Sequence, residues 1–190
     1  MIFDSMGFPR PSGADDFADS PHSCGVMWLV DHPQKPDPAQ YVIARSYIRH
    51  PTEKRYDMSR DNALLLMYAL YKAGRADLID LSFIDGKDIY SPAVHGFVRI
   101  MKGQKAWPWQ IWWFNRELET NWELQKLEEP FQIIVMADVY GVDYLRRWTE
   151  ANNLWKWAIK RYYSELDGRW RNETEIAEMA IQTIERKVKK

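Results

Sequence analysis

Ser59-Arg-Asp-Asn-Ala-Leu-Leu-Leu-Met-Tyr-Ala-Leu-Tyr-Lys-Ala-Gly74 is the stretch at which the chain changes from irregular to helical punctuation. Ser59 stands where an N-cap is expected, and Asp61 lies in the first turn, where negative charge suits the helix macrodipole. Gly74 occupies the C′ position, where the backbone turns left-handed. The same grammar repeats downstream. Ser91-Pro92 opens a second helix and Gly103 closes it, with Val94, Phe97, Val98 and Met101 as one apolar stripe. Pro108 begins a third, expected to run to about Glu129. Pro130 begins a fourth, with Phe131, Ile134, Val135 and Val139 as its stripe and Gly141 as its stop. Asp143 to Asp167 reads as one long helix, or as two divided at Asn152-Asn153, ending at Gly168. Asn172 and Glu175 have capping-box spacing and launch the last helix, whose Ile176, Met179, Ala180, Thr183, Ile184 and Val188 share one side. Residues 59–190 are therefore expected to form a mainly α domain, an antiparallel helical-hairpin bundle of six or seven helices, with any strands confined to residues before 58.

Residues 1–58 read differently. Seven of the ten prolines lie in residues 1–51, and no helical period is sustained there. Each proline fixes its own φ and pushes its predecessor out of the α region, so Phe8–Gly13 and His32–Pro38 are expected to be extended or turning backbone. Gly25 to Val30 and Gln40 to Ile48 are the two candidate short strands, and a two-stranded pairing needs something larger to lie on. The expectation is an extended proline-rich N-terminal arm, held by contacts outside the helical core of its own chain. Deleting residues 1–38 is then expected to leave the helical domain folded and to abolish assembly.

Composition narrows the function. The 190 residues are 46% hydrophobic and 28% charged, enough for a sizeable core. With 26 basic and 27 acidic side chains the net charge is −1, so neither nucleic acid nor a membrane is an expected partner on general electrostatics. The longest apolar stretch, Ala63 to Tyr71, is too short to span a bilayer, and the first residues lack the basic and apolar parts of a signal peptide. The expected setting is therefore cytoplasmic. Cys24 is the single cysteine, which excludes an internal disulfide; it reads as a small buried hydrophobe. His22, His32, His50 and His95 are scattered. There is no phosphate loop, nucleophile elbow or His-Glu-x-x-His, so no catalytic residue, metal site or cofactor is expected.

Tryptophan is the unusual component, ten of them beside ten tyrosines and seven phenylalanines. Along Trp107 to Trp122, at about 100° per residue, Ile111, Phe114, Leu118 and Trp122 share one side. Trp109, Trp112 and Trp113 fall opposite, next to Arg116. Either this helix is buried on both sides at the centre of the bundle, or the three tryptophans and Arg116 form an exposed patch that grips a partner or stacks on a sugar. Asp138 sits inside the apolar run Ile133 to Tyr140 and needs a partner if buried, with Arg60, Arg146 and Arg147 available. Asp61 and Asp138 are the candidate acids if the chain acts on glycosides, which needs two carboxylates flanking one bond.

Ser59-Arg60-Asp61-Asn62, the apolar helix ending at Gly74, Ser91-Pro92 and the helices that follow resemble a group of phage-encoded proteins. That group carries a Ser-Arg-Asp-Gln signature and is similar in layout to helical-hairpin toroids of the six-hairpin glycosidase type. The resemblance spans about residues 41–165, with Asn62 where the signature has glutamine. It implies a virus-encoded protein, in the virion or the host cytoplasm. A closed ring of six hairpins takes twelve helices, and six or seven cannot enclose a substrate cleft. Two functions are expected from the whole. The first is a non-enzymatic structural or assembly protein of a bacteriophage particle, binding protein subunits, its own or others, through the arm and the tryptophans. The second is a carbohydrate-binding or glycoside-active domain, with glycan on the tryptophans.

Overall fold

A computed structural model describes residues 1–10, 19–50, 58–81, 91–120, 130–164 and 173–190. The fold is mainly α. Eight helices are seen among the described residues: α1 (Ser20–Leu29), α2 (Arg60–Lys72), α3 (Pro92–Met101), α4 (Pro108–Thr120), α5 (Pro130–Tyr140), α6 (Val142–Ala151), α7 (Trp155–Ser164) and α8 (Thr174–Val188). Seven of them lie in residues 59–190, and every described strand lies before 58.

Most of the expected punctuation operates. Ser91 Oγ accepts a hydrogen bond from the Val94 amide at 3.2 Å, capping α3. Gly74 and Gly103 take left-handed φ of 73° and 74° just beyond α2 and α3. Asn152 ends α6 and its Oδ1 accepts from the Leu154 amide at 3.1 Å, so Asp143 onward is two helices. Ser59 departs from expectation. Its side chain makes no cap bond to the α2 backbone and instead accepts from Asn62 Nδ2 at 2.8 Å. The expected continuation of α4 to Glu129 and the Asn172 cap lie outside the described residues.

The core is built around helices that are buried on nearly all sides. In α2 every residue from Asp61 to Leu70 is buried, in α5 every residue from Pro130 to Ala137, and in α1 every residue but Trp28. Helices apolar all round belong at the centre of a domain. Here α2 packs against both α1 and α5. The α1–α2 approach is as close as backbones allow. A Cβ at Gly25 would lie 2.5 Å from both the Cβ and the carbonyl oxygen of Leu65, so only glycine fits. Gly96 of α3 does the same for the Tyr140 hydroxyl of α5, which would lie 2.1 Å from an added Cβ.

This arrangement corrects the expected arm. Gly25 to Val30 is not a strand; all but Val30 lie in α1, which Pro21 opens near its N-terminus. The Gln40–Ile48 run is not one strand either. It begins in a short 3-10 turn, Pro38–Tyr41, capped by Asp37 accepting from the Ala39 amide at 2.9 Å. It then reverses through Ala44 and Arg45, both at left-handed φ, pairing β3 (Val42–Ile43) with β4 (Ser46–Tyr47). A second hairpin pairs β1 (Ile2–Phe3) with β2 (Pro9–Arg10), so four two-residue strands replace the expected two. Phe8 is buried between the rings of Tyr41 and His50, with centroids 4.7 and 4.9 Å away, and Tyr41 reaches Ser20 Oγ at 2.7 Å. Phe8, Tyr41 and Tyr47 belong to the same core as α2. The physical reason is that α2, apolar on every side, needs a cover, and α1 with its flanking hairpins supplies it.

Two changes test this. Gly25→Ala forces α1 and α2 apart and should cost about 3 kcal/mol or more, at or above the top of the ordinary overpacking range. Deleting residues 1–38 removes α1 outright, and the product should lose cooperative thermal unfolding by circular dichroism. A truncated chain that melts like the full one would return these residues to the status of an arm.

Candidate functional site

The entry to α4 is built by a reciprocal bond. Gln110, buried in the first turn, accepts from the Trp107 amide through Oε1 at 2.9 Å, while the Trp107 carbonyl accepts from the Gln110 and Ile111 amides. That is half of a capping box, with glutamine in the reaching role. One side of α4 is locked into the core by Phe114. Its ring stacks on Tyr140 at 4.2 Å and 16° and leans on Tyr144 at 5.5 Å. The Tyr140 hydroxyl in turn donates to the Ala93 carbonyl of α3 at 2.7 Å.

With Phe114 inside, the 100° step turns the tryptophans out. Trp109, Trp112 and Trp113 are 53%, 54% and 38% exposed, and Trp107, just before the helix, is 53% exposed. Of the two readings of this helix, the exposed patch is the one seen; the helix is not buried on both sides. Trp112 and Trp113 meet edge to face at 5.3 Å, and the Arg116 guanidinium lies over both, 5.6 and 5.7 Å from their centroids. Arg99 of α3 lies over Trp107 at 5.1 Å and donates to the Lys105 carbonyl at 3.1 Å, tying the α3–α4 turn to the patch. Four indoles about half exposed leave on the order of 400 Å² of aromatic surface wet, taking roughly 200 Å² each. A patch of that size is uncommon on a monomer's free surface. Among the described residues five tryptophans are exposed, and four of them fall within residues 107–113. Trp107, Arg99, Lys102 and Lys105 were not singled out from the sequence. The signal for them was present as a run without a single acid, Ser91 to Arg116.

The two candidate acids are not brought together. Asp138 accepts from the Tyr68 hydroxyl at 2.6 Å and pairs with Lys187 of α8 at 2.5 Å. None of the expected arginines serves it. Arg60 pairs with Glu117 at 3.1 Å, Arg146 with Asp143 at 2.9 Å, and Arg147 donates to Asn115 at 3.2 Å. Burial pushes the Lys187 ammonium below its ordinary range, and Asp138 opposes that. Asp61 is buried at the other end of α2, seven residues before Tyr68, which is about 10 Å of helix axis. Its charge acts on the buried His22 ring, partly offsetting the lowering of that ring's pKa by burial. Asp138, on α5, is held opposite Tyr68, while Asp61 lies about two turns earlier on α2, so the two carboxylates do not flank one bond.

The polar sequence Ser59–Asn62 has a structural use. The Asn62 carboxamide accepts from the His22 amide at 3.0 Å and donates to Ser59 Oγ at 2.8 Å and Asp19 Oδ1 at 3.4 Å, pinning the start of α1 to the start of α2. His22 is buried, stacked on Tyr162 at 5.5 Å, with its Nε2 3.1 Å from the Tyr162 hydroxyl. Burial lowers its pKa, and the charges of Asp61 and Asp19 offset part of that. Cys24 is buried and its thiol is pushed well up by desolvation, as suits a small hydrophobe. Among the described residues no group of three or more His, Cys, Asp or Glu is placed to hold a metal ion, and no helix is long and apolar enough to cross a membrane. No family model, curated protein or solved structure matches the chain.

Two measurements follow from this geometry. Trp112→Ser and Trp113→Ser should each change stability by within about 0.5 kcal/mol, as surface substitutions do, whereas Phe114→Ala should cost about 3–5 kcal/mol. Thermal melts of the three variants separate a surface patch from a core. For His22 the folded pKa lies below the ordinary 6.5, so below that pH the unfolded chain binds a proton that the folded chain does not. Stability should therefore fall as pH drops from 6.5 towards the folded pKa, by at most about 1.4 kcal/mol per unit. His22→Phe should remove that part of the slope between pH 7 and pH 5 in denaturant titrations, whatever it does to stability at neutral pH.

Proposed function

We propose that this chain is a non-enzymatic assembly protein that binds a neighbouring protein subunit through the tryptophan face of α4. The bacteriophage particle suggested by the resemblance around Ser59–Asn62 is its proposed setting. The observation that carries the reading is the concentration of half-exposed tryptophan at residues 107–113, beside stacked arginines, on a helix whose other side is anchored in the core by Phe114. Tryptophan and arginine are the residue types that most often anchor protein interfaces. The wet aromatic area is about half of the roughly 800 Å² that one partner contributes to a standard interface. The N-terminal residues no longer share this role, because they cover α2.

A glycan-binding domain would use the same indoles as flat platforms. Guanidinium groups lie over three of the four rings, which favours edge contacts and planar polar pairing over sugar stacking. The separation of Asp61 from Asp138 counts against a glycoside-cleaving version of that reading.

Light scattering on the purified chain, alone and mixed with the products of adjacent genes, is the direct test. A mixture should gain mass, acrylamide quenching of tryptophan fluorescence should fall in the complex, and the double variant W112S/W113S should abolish both while remaining folded. If soluble oligosaccharide shields the tryptophans and no protein does, the sugar-binding reading replaces this one.

A further inference from the structure

We propose that the segment seated on this face is acidic: a carboxylate-rich stretch of the neighbouring subunit, lying along the α3–α4 turn. Its carboxylates would meet Arg99, Lys102 and Lys105, and its apolar side chains the tryptophans. The inference rests on the assembly reading and adds the chemistry of the partner.

Charge distribution carries it. The whole chain has 27 acidic side chains in 190 residues and is close to neutral, yet Ser91 to Arg116 contains none. The same stretch carries Arg99, Lys102, Lys105 and Arg116. Lys102 and Lys105 are exposed and make no ion pair among the described residues. The first carboxylate downstream, Glu117, is held by Arg60. Cations at the end of α3 suit its macrodipole, which accounts for Arg99 and Lys102 but not for Lys105. The first turn of α4, where an acid is ordinarily favoured, also has none. The basic turn thus adjoins the aromatic patch with Lys102 and Lys105 outside any ion pair among the described residues, and Arg99 belongs to both, bonded to the Lys105 carbonyl and stacked on Trp107. Complementary charge would select the partner and speed its capture, while the indoles would supply the desolvated centre.

Other anionic partners fit less well. An interfacial helix lies in a membrane on a continuous apolar face, but the apolar side of α4 is turned into the core by Phe114, and Arg116 sits among the exposed indoles. Single-stranded nucleic acid binds on open aromatic faces, and three of the four rings here carry a guanidinium.

The test uses the full chain and a short synthetic peptide alternating glutamate with leucine. The peptide should shield the tryptophans from acrylamide, and its affinity should drop at least about tenfold in K102E/K105E and fall with added salt. A peptide alternating lysine with leucine should shield nothing. Absence of shielding by the glutamate peptide, or equal shielding by the lysine peptide, oligothymidylate or phosphatidylglycerol vesicles, overturns the proposal. The same variants tested against the natural neighbour separate the two readings. Association lost in W112S/W113S but kept in K102E/K105E leaves the assembly role standing and removes the acidic partner. Association kept in both removes both.

Discussion

The fold depends on the contact of α1 with α2 at Gly25 and Leu65, where the backbones approach too closely for any side chain at position 25. One turn earlier on each helix, the His22 amide meets the Asn62 carboxamide. Successive turns of the two helices therefore meet in the same order, one pair sealed by packing and the other by a hydrogen bond. The pairing leaves α2 without a solvent-facing side for ten consecutive residues. Around that buried rod lie α5 on another of its sides, the β1–β2 hairpin and the Pro38–Tyr41 turn beside α1, and α8 tied in through Lys187, Asp138 and Tyr68.

Burying so many polar groups beside the rod works because they bond one another. Asn62 uses its carbonyl oxygen and its amide nitrogen at once, on three elements of the N-terminal junction. His22 is taken out of water, which holds it in its neutral form around pH 7 and gives its ring an apolar stacking partner in Tyr162. Asp138 pairs with the Lys187 ammonium and accepts from the Tyr68 phenol. These residue types resemble catalytic ones, but each makes at least one hydrogen bond that joins one helix to another.

The tryptophan face follows from the same economy of sides. Once Phe114 is stacked against Tyr140, and Tyr140 is fixed over Gly96, the rotation of α4 is set. Indoles one, two and five residues before Phe114 are then carried to the outside. The stacked arginines organise them there without covering them, since a cation above a ring adds only about 0.5–1 kcal/mol at an exposed site and removes little area from water.

Helix starts and stops were legible because they are local. Ser91-Pro92, Pro108 and Pro130 at the openings, and Gly74, Gly103 and Gly141 at the closings, act through one or two backbone dihedrals whatever surrounds them. The division at Asn152 was legible for the same reason. The periodic stripe of α3 also marked its buried side. What the sequence by itself could not decide was whatever depends on burial from all directions. α1 carries no amphipathic period, because nearly every side of it is inside, so Gly25–Val30 resembles a strand as much as a helix. The partner of Asp138 lies seventy residues away in one direction and forty-nine in the other. For α4 the pattern showed two aromatic sides and could not say which faced water. That was settled by one tertiary contact, the stack of Phe114 on Tyr140, because a helix can turn only one side to the core.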